Sequence, residues 1–190
     1  MSEASDVAQV VLFERQCRDR GWWDPMRGCF HADSTVKLTW FQGSGSDFVF
    51  RSEAGGVKCR HRLSPPVVQV DGDRAVAELP AAIEFRVLVD GVEADLISYA
   101  RMLYRVERRV NEWKILKIDA IYERDTLFPT VPGVSLEVDS ERLAKFRPTY
   151  HLLADHLIAS GHDVADDLYG DDRTEPVAAL YDAAFQWLRG

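Results

Sequence analysis

The sequence predicts an α+β fold in which a curved antiparallel sheet folds over N-terminal helices. Three observations carry this. The first 30 residues read as helices, the next hundred as long alternating strands separated by turn signals, and the last sixty as helices again. The length of 190 residues, 46% of them hydrophobic, suits one domain with an appended segment. The spacing divides the chain into a domain over residues 1–128 and a helical extension over residues 129–190, packed on the domain or on a dimer partner.

From Asp6 to Arg20 the chain lacks Gly and Pro, and Val7, Val10, Val11 and Leu12 recur at helical spacing. Ser5 is placed to cap this helix and Gly21 to end it. Trp22 to Phe30 reads as a short second helix, with Asp24 as its cap and Pro25 at its first position. His31 is then expected at a helix C-terminus, where the dipole favours it. The segment from Thr35 to Phe41 alternates Val36, Leu38 and Trp40 with polar residues, which is strand spacing.

A Gly/Ser break and a short helix follow at residues 43–50. The stretch from Arg60 to Val70 reads as a strand, and Asp71-Gly-Asp-Arg74 as the turn into the next, which runs to Val89. Asp90-Gly91 and Val110-Asn-Glu112 mark two more hairpins among long strands. Pro129 and Pro132 end the meander, since proline cannot continue a central strand. Residues 139–161 read as helix broken at Pro148, residues 161–172 as a polar, acidic loop, and Thr174 to Leu188 as a final helix. Val177, Leu180, Tyr181, Ala184 and Leu188 share one face of that helix.

The net charge of −8 argues against nucleic acid as a partner, because an acidic chain repels phosphate backbones. No apolar run approaches the ~20 residues of a membrane helix. The N-terminus has no signal-peptide pattern, and the isolated Cys17, Cys29 and Cys59 suggest neither zinc nor disulfides. A cytoplasmic protein is expected, with no metal. His151 and His156 are five apart, which does not stack them as metal ligands. They and His162 are expected to be surface or packing residues.

The motifs "DRGWWD" at Asp19–Asp24, "CFHADSTV" at Cys29–Val36, "CRHRLSPP" around His61, "VDGDRAVAE" at Val70–Glu78 and "ERRVNEWKI" at Glu107–Ile115 resemble the NTF2-like superfamily. Within it they are similar to the SnoaL-like and scytalone dehydratase-like branch, over Val7 to Asp125. The resemblance implies a cone-shaped α+β barrel with a deep, mostly apolar pocket. It implies that Asp19 and His61 meet there as a catalytic dyad, needing no cofactor. A carboxylate on one ring nitrogen fixes the tautomer and stabilises the imidazolium, and the other nitrogen takes a proton. Strand parity and the resemblance add Val36, Leu38, Trp40, Met102 and Tyr122 as pocket walls. Trp22 and Trp23 divide between a core anchor and a pocket rim or dimer contact, with Trp23 assigned to the substrate.

The sequence departs from the branch in two places. Residues 81–85 carry no second histidine, and no arginine stands near Ile118, where the resemblance places that of the dehydrochlorinases. The expected function is a lyase or isomerase acting on a small hydrophobic molecule by proton abstraction and elimination. The alternative is a non-catalytic ligand-binding or partner-binding protein. A homodimer is expected through the outer face of the sheet, where the pattern from Ser98 to Arg109 leaves Tyr99, Leu103 or Met102 exposed on either parity.

Overall fold

A computed structural model describes residues 2–190. Helix α1 (Glu3–Arg20) begins one turn before the expected start, because Ser2 rather than Ser5 caps it. Ser2 Oγ accepts from Ser5 N at 3.3 Å, and the two hydroxyls bond at 2.9 Å. Gly21, in the left-handed region at φ 71°, ends the helix. Trp22 N then donates to Cys17 O at 2.9 Å, so α2 (Trp23–Gly28) follows without a linker. This puts Trp22 at the helix start and Asp24 inside the first turn, paired with Arg27 and not capping.

Strand β1 (Phe30–Lys37) starts as soon as α2 ends, so His31 lies in a strand, its Nε2 2.9 Å from Glu107 O. The strand stops before Leu38. Leu38 N donates to Phe41 O at 2.8 Å, so Trp40 sits in a turn and strand parity does not govern it. A short β2 (Gln42–Ser44) leads into α3 (Gly45–Glu53). The segment read as one strand before the first hairpin is two, β3 (Arg60–Leu63) and β4 (Val67–Asp71). Pro65 and Pro66 break it, since they offer no N–H to a ladder.

Three long strands form the sheet: β5 (Arg74–Val89), β6 (Val92–Arg109) and β7 (Glu112–Pro129). Their hairpins turn at Asp90–Gly91 and Val110–Asn111, all four at positive φ. The strand order is β2-β1-β7-β6-β5-β3, with β4 also on β5, so the sheet curves without closing. Bulges between Tyr99 and Ala100 and between Arg105 and Val106 bend the β6–β7 ladder.

The tail forms α4 (Ser140–Leu143), α5 (His151–Ala159), β8 (Tyr169–Gly170) and α6 (Thr174–Arg189). The acidic segment read as loop thus contributes a strand. It pairs in parallel with Ile121 and Tyr122 of β7, just beyond where β1 pairing ends at Asp119.

The two faces of the sheet are covered differently. The concave face holds α1, α3 and α5 in one large core that includes Leu79, Met102, Tyr104, Ile118 and Tyr122. The convex face offers Val76, Leu103 and Ile121, and Leu180, Ala184 and Leu188 of α6 cover them. The outer apolar face expected to seek a second copy is therefore buried within the chain: Leu103 is 2% exposed beneath α6. Met102 points to the other face, into the core.

Candidate active site

The inward face of α1 changes character along its length. Val7 and Val11 are buried apolar residues, and one and two turns later Glu14, Arg15 and Arg18 are buried as well. Glu14 and Arg15 form an ion pair with 0% and 1% of their side chains exposed. Tyr104 donates its hydroxyl to the same carboxylate at 3.3 Å. Burial works against the Arg15 charge, but Glu14 outweighs it and the guanidinium stays protonated.

Asp19 closes this charged turn and reaches His61 on the edge strand β3. The pairing of His61 with Ile83 of β5 turns the ring inward, while Arg60 and Arg62 point out to solvent. One carboxylate takes both N–H groups of His61: Oδ1 is 2.7 Å from the ring Nδ1, and Oδ2 accepts from the backbone N at 2.7 Å. The side chains are 3% exposed for His61 and 12% for Asp19. Burial pushes the Asp19 carboxyl up, but the hydrogen bonds from the His61 ring and backbone, with the charge of Arg18, outweigh it, and the group lies below its usual range. Ionised Asp19 can only accept, so Nδ1 carries the proton and Nε2 keeps its lone pair. Burial, with the charges of Arg15 and Arg18, holds His61 down at about 4 against the opposing Asp19 bond. The imidazole is thus neutral at pH 7 and oriented as a base.

Two cavities meet here. An inner one of about 20 Å³ is lined by His61, Leu38, Trp40, Met102 and Tyr122, and by Leu153 and Leu157 of α5. That volume admits about one water. An outer vestibule of about 620 Å³ is lined by Asp19, Trp23 and the 52–60 loop. Arg18, Val57, Cys59 and Phe85 line both, so they form the partition. Gly56 lets the loop close over this place. A Cβ there would come within 3.0 Å of Arg51 O, Ser52 Cα and the Trp40 ring.

The structure brings Asp19 and His61 together and sets Leu38, Trp40, Met102 and Tyr122 around the inner cavity. Tyr122 does not turn its hydroxyl to open space: it lies 3.0 Å from both Thr39 N and Thr39 Oγ1, and burial pushes it up to about 12. Val36 is core and lines neither cavity. Trp23 packs against the core and stands on the vestibule wall, whereas Trp22 is 46% exposed and lines neither cavity. Two histidines of the tail pack on cavity walls, His156 edge-on to Phe85 at 5.0 Å and His162 to Trp40 at 6.0 Å. Among the described residues no group of three or more His, Cys, Asp or Glu is arranged to hold a metal.

Sequence reasoning missed Arg15 and Arg18. Their signal was present, since residues 7, 11, 14, 15 and 18 share one helical face, but that face was followed only through its apolar members. It also missed Leu153 and Leu157, because the pattern of a tail helix shows that it has an apolar face and not what that face covers.

Residues 3–119 match the SnoaL-like domain family. The chain belongs to that family. A PEP2-like protein of Fusarium vanettenii is 33% identical, the match covering 91% of this chain and 80% of the relative. Pea pathogenicity protein 2 of the same fungus is 32% identical over the same shares. A match of that length takes in most of the helical extension. Among solved structures, a type 2 hexachlorocyclohexane dehydrochlorinase superposes with a TM-score of 0.59 at 12% identity, covering 68% of this chain and 94% of that one. A putative scytalone dehydratase from Novosphingobium aromaticivorans gives 0.53 at 15%, covering 73% and 93%. At such identities these two show the fold, which is the NTF2-like one. No described helix is long and apolar enough to cross a membrane.

Proposed function

We propose that the protein is a cofactor-independent lyase or isomerase in which His61 is the general base and Asp19 its orienting carboxylate. The observation that carries this is the pair of 2.7 Å contacts from one buried carboxylate to Nδ1 and N of His61. They leave Nε2 with a free lone pair on a ring that lines the inner cavity. Nε2 takes a proton from a carbon next to a carbonyl, and the C–H electrons move into the enolate. The imidazolium is stabilised by Asp19. It then returns the proton to a leaving hydroxyl, which departs as water, or to another carbon, which completes an isomerisation. The names of two fold neighbours, a dehydratase and a dehydrochlorinase, are those of elimination enzymes and support the same class.

A second reading, a non-catalytic binding protein, is favoured by the inner cavity itself. At about 20 Å³, closed by Leu153 and Leu157, it excludes a substrate until α5 or the 52–60 loop moves. The two readings separate in a mass-spectrometric screen of enolisable hydroxy-carbonyl compounds in D2O. A base enzyme incorporates deuterium or releases water, and His61→Gln lowers that rate by at least ~100-fold. Equal rates in the two proteins would remove His61 from the mechanism, and no conversion of any compound would favour the binding reading.

A further inference from the structure

Arg18 is a guanidinium 7% exposed, at the partition between vestibule and inner cavity. Its Nη2 donates to Val57 O at 2.8 Å and its Nη1 to Cys59 Sγ at 3.3 Å, and it lies over the Trp40 ring at 5.7 Å. Among the described residues it makes no ion pair within 4 Å. The Asp19 carboxylate feels its charge without touching it, and a buried charge with no direct counter-ion is costly, so a ligand anion that reached it would be favoured.

The vestibule in front of it repeats the imbalance. Its three acids are all engaged: Asp19 with His61, Glu53 with Arg27 and Glu84 with Arg62. Of its five bases only Arg86 is engaged, by Asp95 and Glu93. Arg18 and the exposed Arg20, Lys58 and Arg60 make no ion pair among the described residues. A chain of net charge −8 thus keeps unpaired positive charge at an opening that borders its dyad, and Arg20 and Arg60 also line a second opening, of about 300 Å³, onto Asp19 and His61. A cleft of one sign concentrates ligands of the other.

We infer that the site takes an anionic substrate, an apolar body bearing a carboxylate, and that Arg18 holds the carboxylate while the body reaches toward His61. The inference rests on the site proposed above. It has a chemical consequence. The charge of Arg18 is one of the influences that hold His61 near 4, well below the working range of a base at neutral pH. An anion on Arg18 offsets that influence and makes His61 more basic, so the base gains strength when substrate is bound.

Two ring-matched probes test this, 2-naphthoate and neutral 2-naphthamide, by NMR titration of protein labelled at the histidine ring carbons. Naphthoate is expected to shift the His61 signal, to bind about tenfold tighter than the amide, and to raise the His61 titration midpoint. Added salt should weaken the preference, and Arg18→Met should reduce it to about twofold or less. Should Arg18→Met fail to fold, the exposed pair Arg20→Gln/Lys58→Gln should lower naphthoate affinity about threefold and leave the amide unchanged. Equal affinities, no binding of either probe at about 5 mM, or an undiminished preference in the folded variants would overturn the inference. Binding is read without turnover, so naphthoate preference in a protein that converts nothing would remove the catalytic proposal and keep this one.

Discussion

The two faces of the same sheet are built by opposite rules. On the convex face Val76, Leu103 and Ile121 meet Leu180, Ala184 and Leu188, an apolar contact. Polar groups flank it, where Arg74 donates to Trp187 O at 2.8 Å, Tyr181 bonds Glu78, and Arg101 donates to the Tyr181 hydroxyl at 3.2 Å and pairs with Glu123 and Asp171. On the concave face Glu14, Arg15, Arg18, Asp19, His61 and Tyr104 are carried into the core, each held by a partner on another residue. Burial of area accounts for the centre of the first face. It does not explain the second, because well-packed apolar residues would stabilise that region as well or better. Departures from the apolar rule gather where function is expected, and here they gather around one cavity.

The largest expected effect tests that contrast. Arg15→Met leaves the Glu14 charge buried and unpaired, and should cost about 3–5 kcal/mol in chemical denaturation. Glu14→Gln combined with Arg15→Met should recover most of the loss. A double variant as unstable as the single one would mean that the pair is structural in its own right, and would weaken the contrast.

On the convex face, Leu180→Ala should cost about 2–4 kcal/mol and leave the His61 resonances unmoved. Ending the chain before Thr174 should uncover Val76, Leu103 and Ile121 and raise the sedimenting mass through self-association. The sequence argument for a homodimer relied on that face being free. With α6 on it, a dimer of the full chain would need another surface.

Asp125, on the concave side of β7, sharpens the comparison through pH. Its Oδ2 accepts from Leu153 N at 2.9 Å, at the start of α5, and burial pushes its carboxyl up to about 6. A carboxyl raised from 3.8 contributes stability below that value and loses it as pH rises through about 6. His61, lowered from 6.5 to about 4, does the reverse: its contribution is present above 6.5 and lost as pH falls through about 4. Between them the two slopes oppose each other, and the wild type should show little pH dependence from about pH 4 to 6. Asp125→Asn removes one slope. Its stability should rise with pH across that window and exceed wild type by about 1–2 kcal/mol at pH 7. A flat profile in the variant would contradict the His61 assignment. Tyr122→Phe should have the smallest effect, about 1 kcal/mol, since only the contacts to Thr39 are lost.

Much of the scaffold was legible in the sequence, because alternation over residues 74–129 and the Asp-Gly and Val-Asn turns leave few alternatives to a meander. Asp19 and His61 could be placed together only through the family resemblance. They are 42 positions apart, and no local pattern joins them. The tail was legible as helices and not as coverings. Leu157 and Leu180 both read as apolar helix positions, yet one closes the dyad cavity and the other seals the back of the sheet. Trp40 was placed by strand parity, which does not apply in the turn that holds it, and it lines the cavity for a different reason.

The central claim is that the concave face holds a neutral, oriented imidazole. The most direct measurement is an NMR titration of the His61 ring, with the nitrogen shifts read at pH 7. A proton on Nδ1, none on Nε2, and a midpoint near 4 are expected. A midpoint at or above 6.5, or a proton resident on Nε2 at pH 7, would show that the Asp19 pair is an ion pair or a structural tie, and would contradict it.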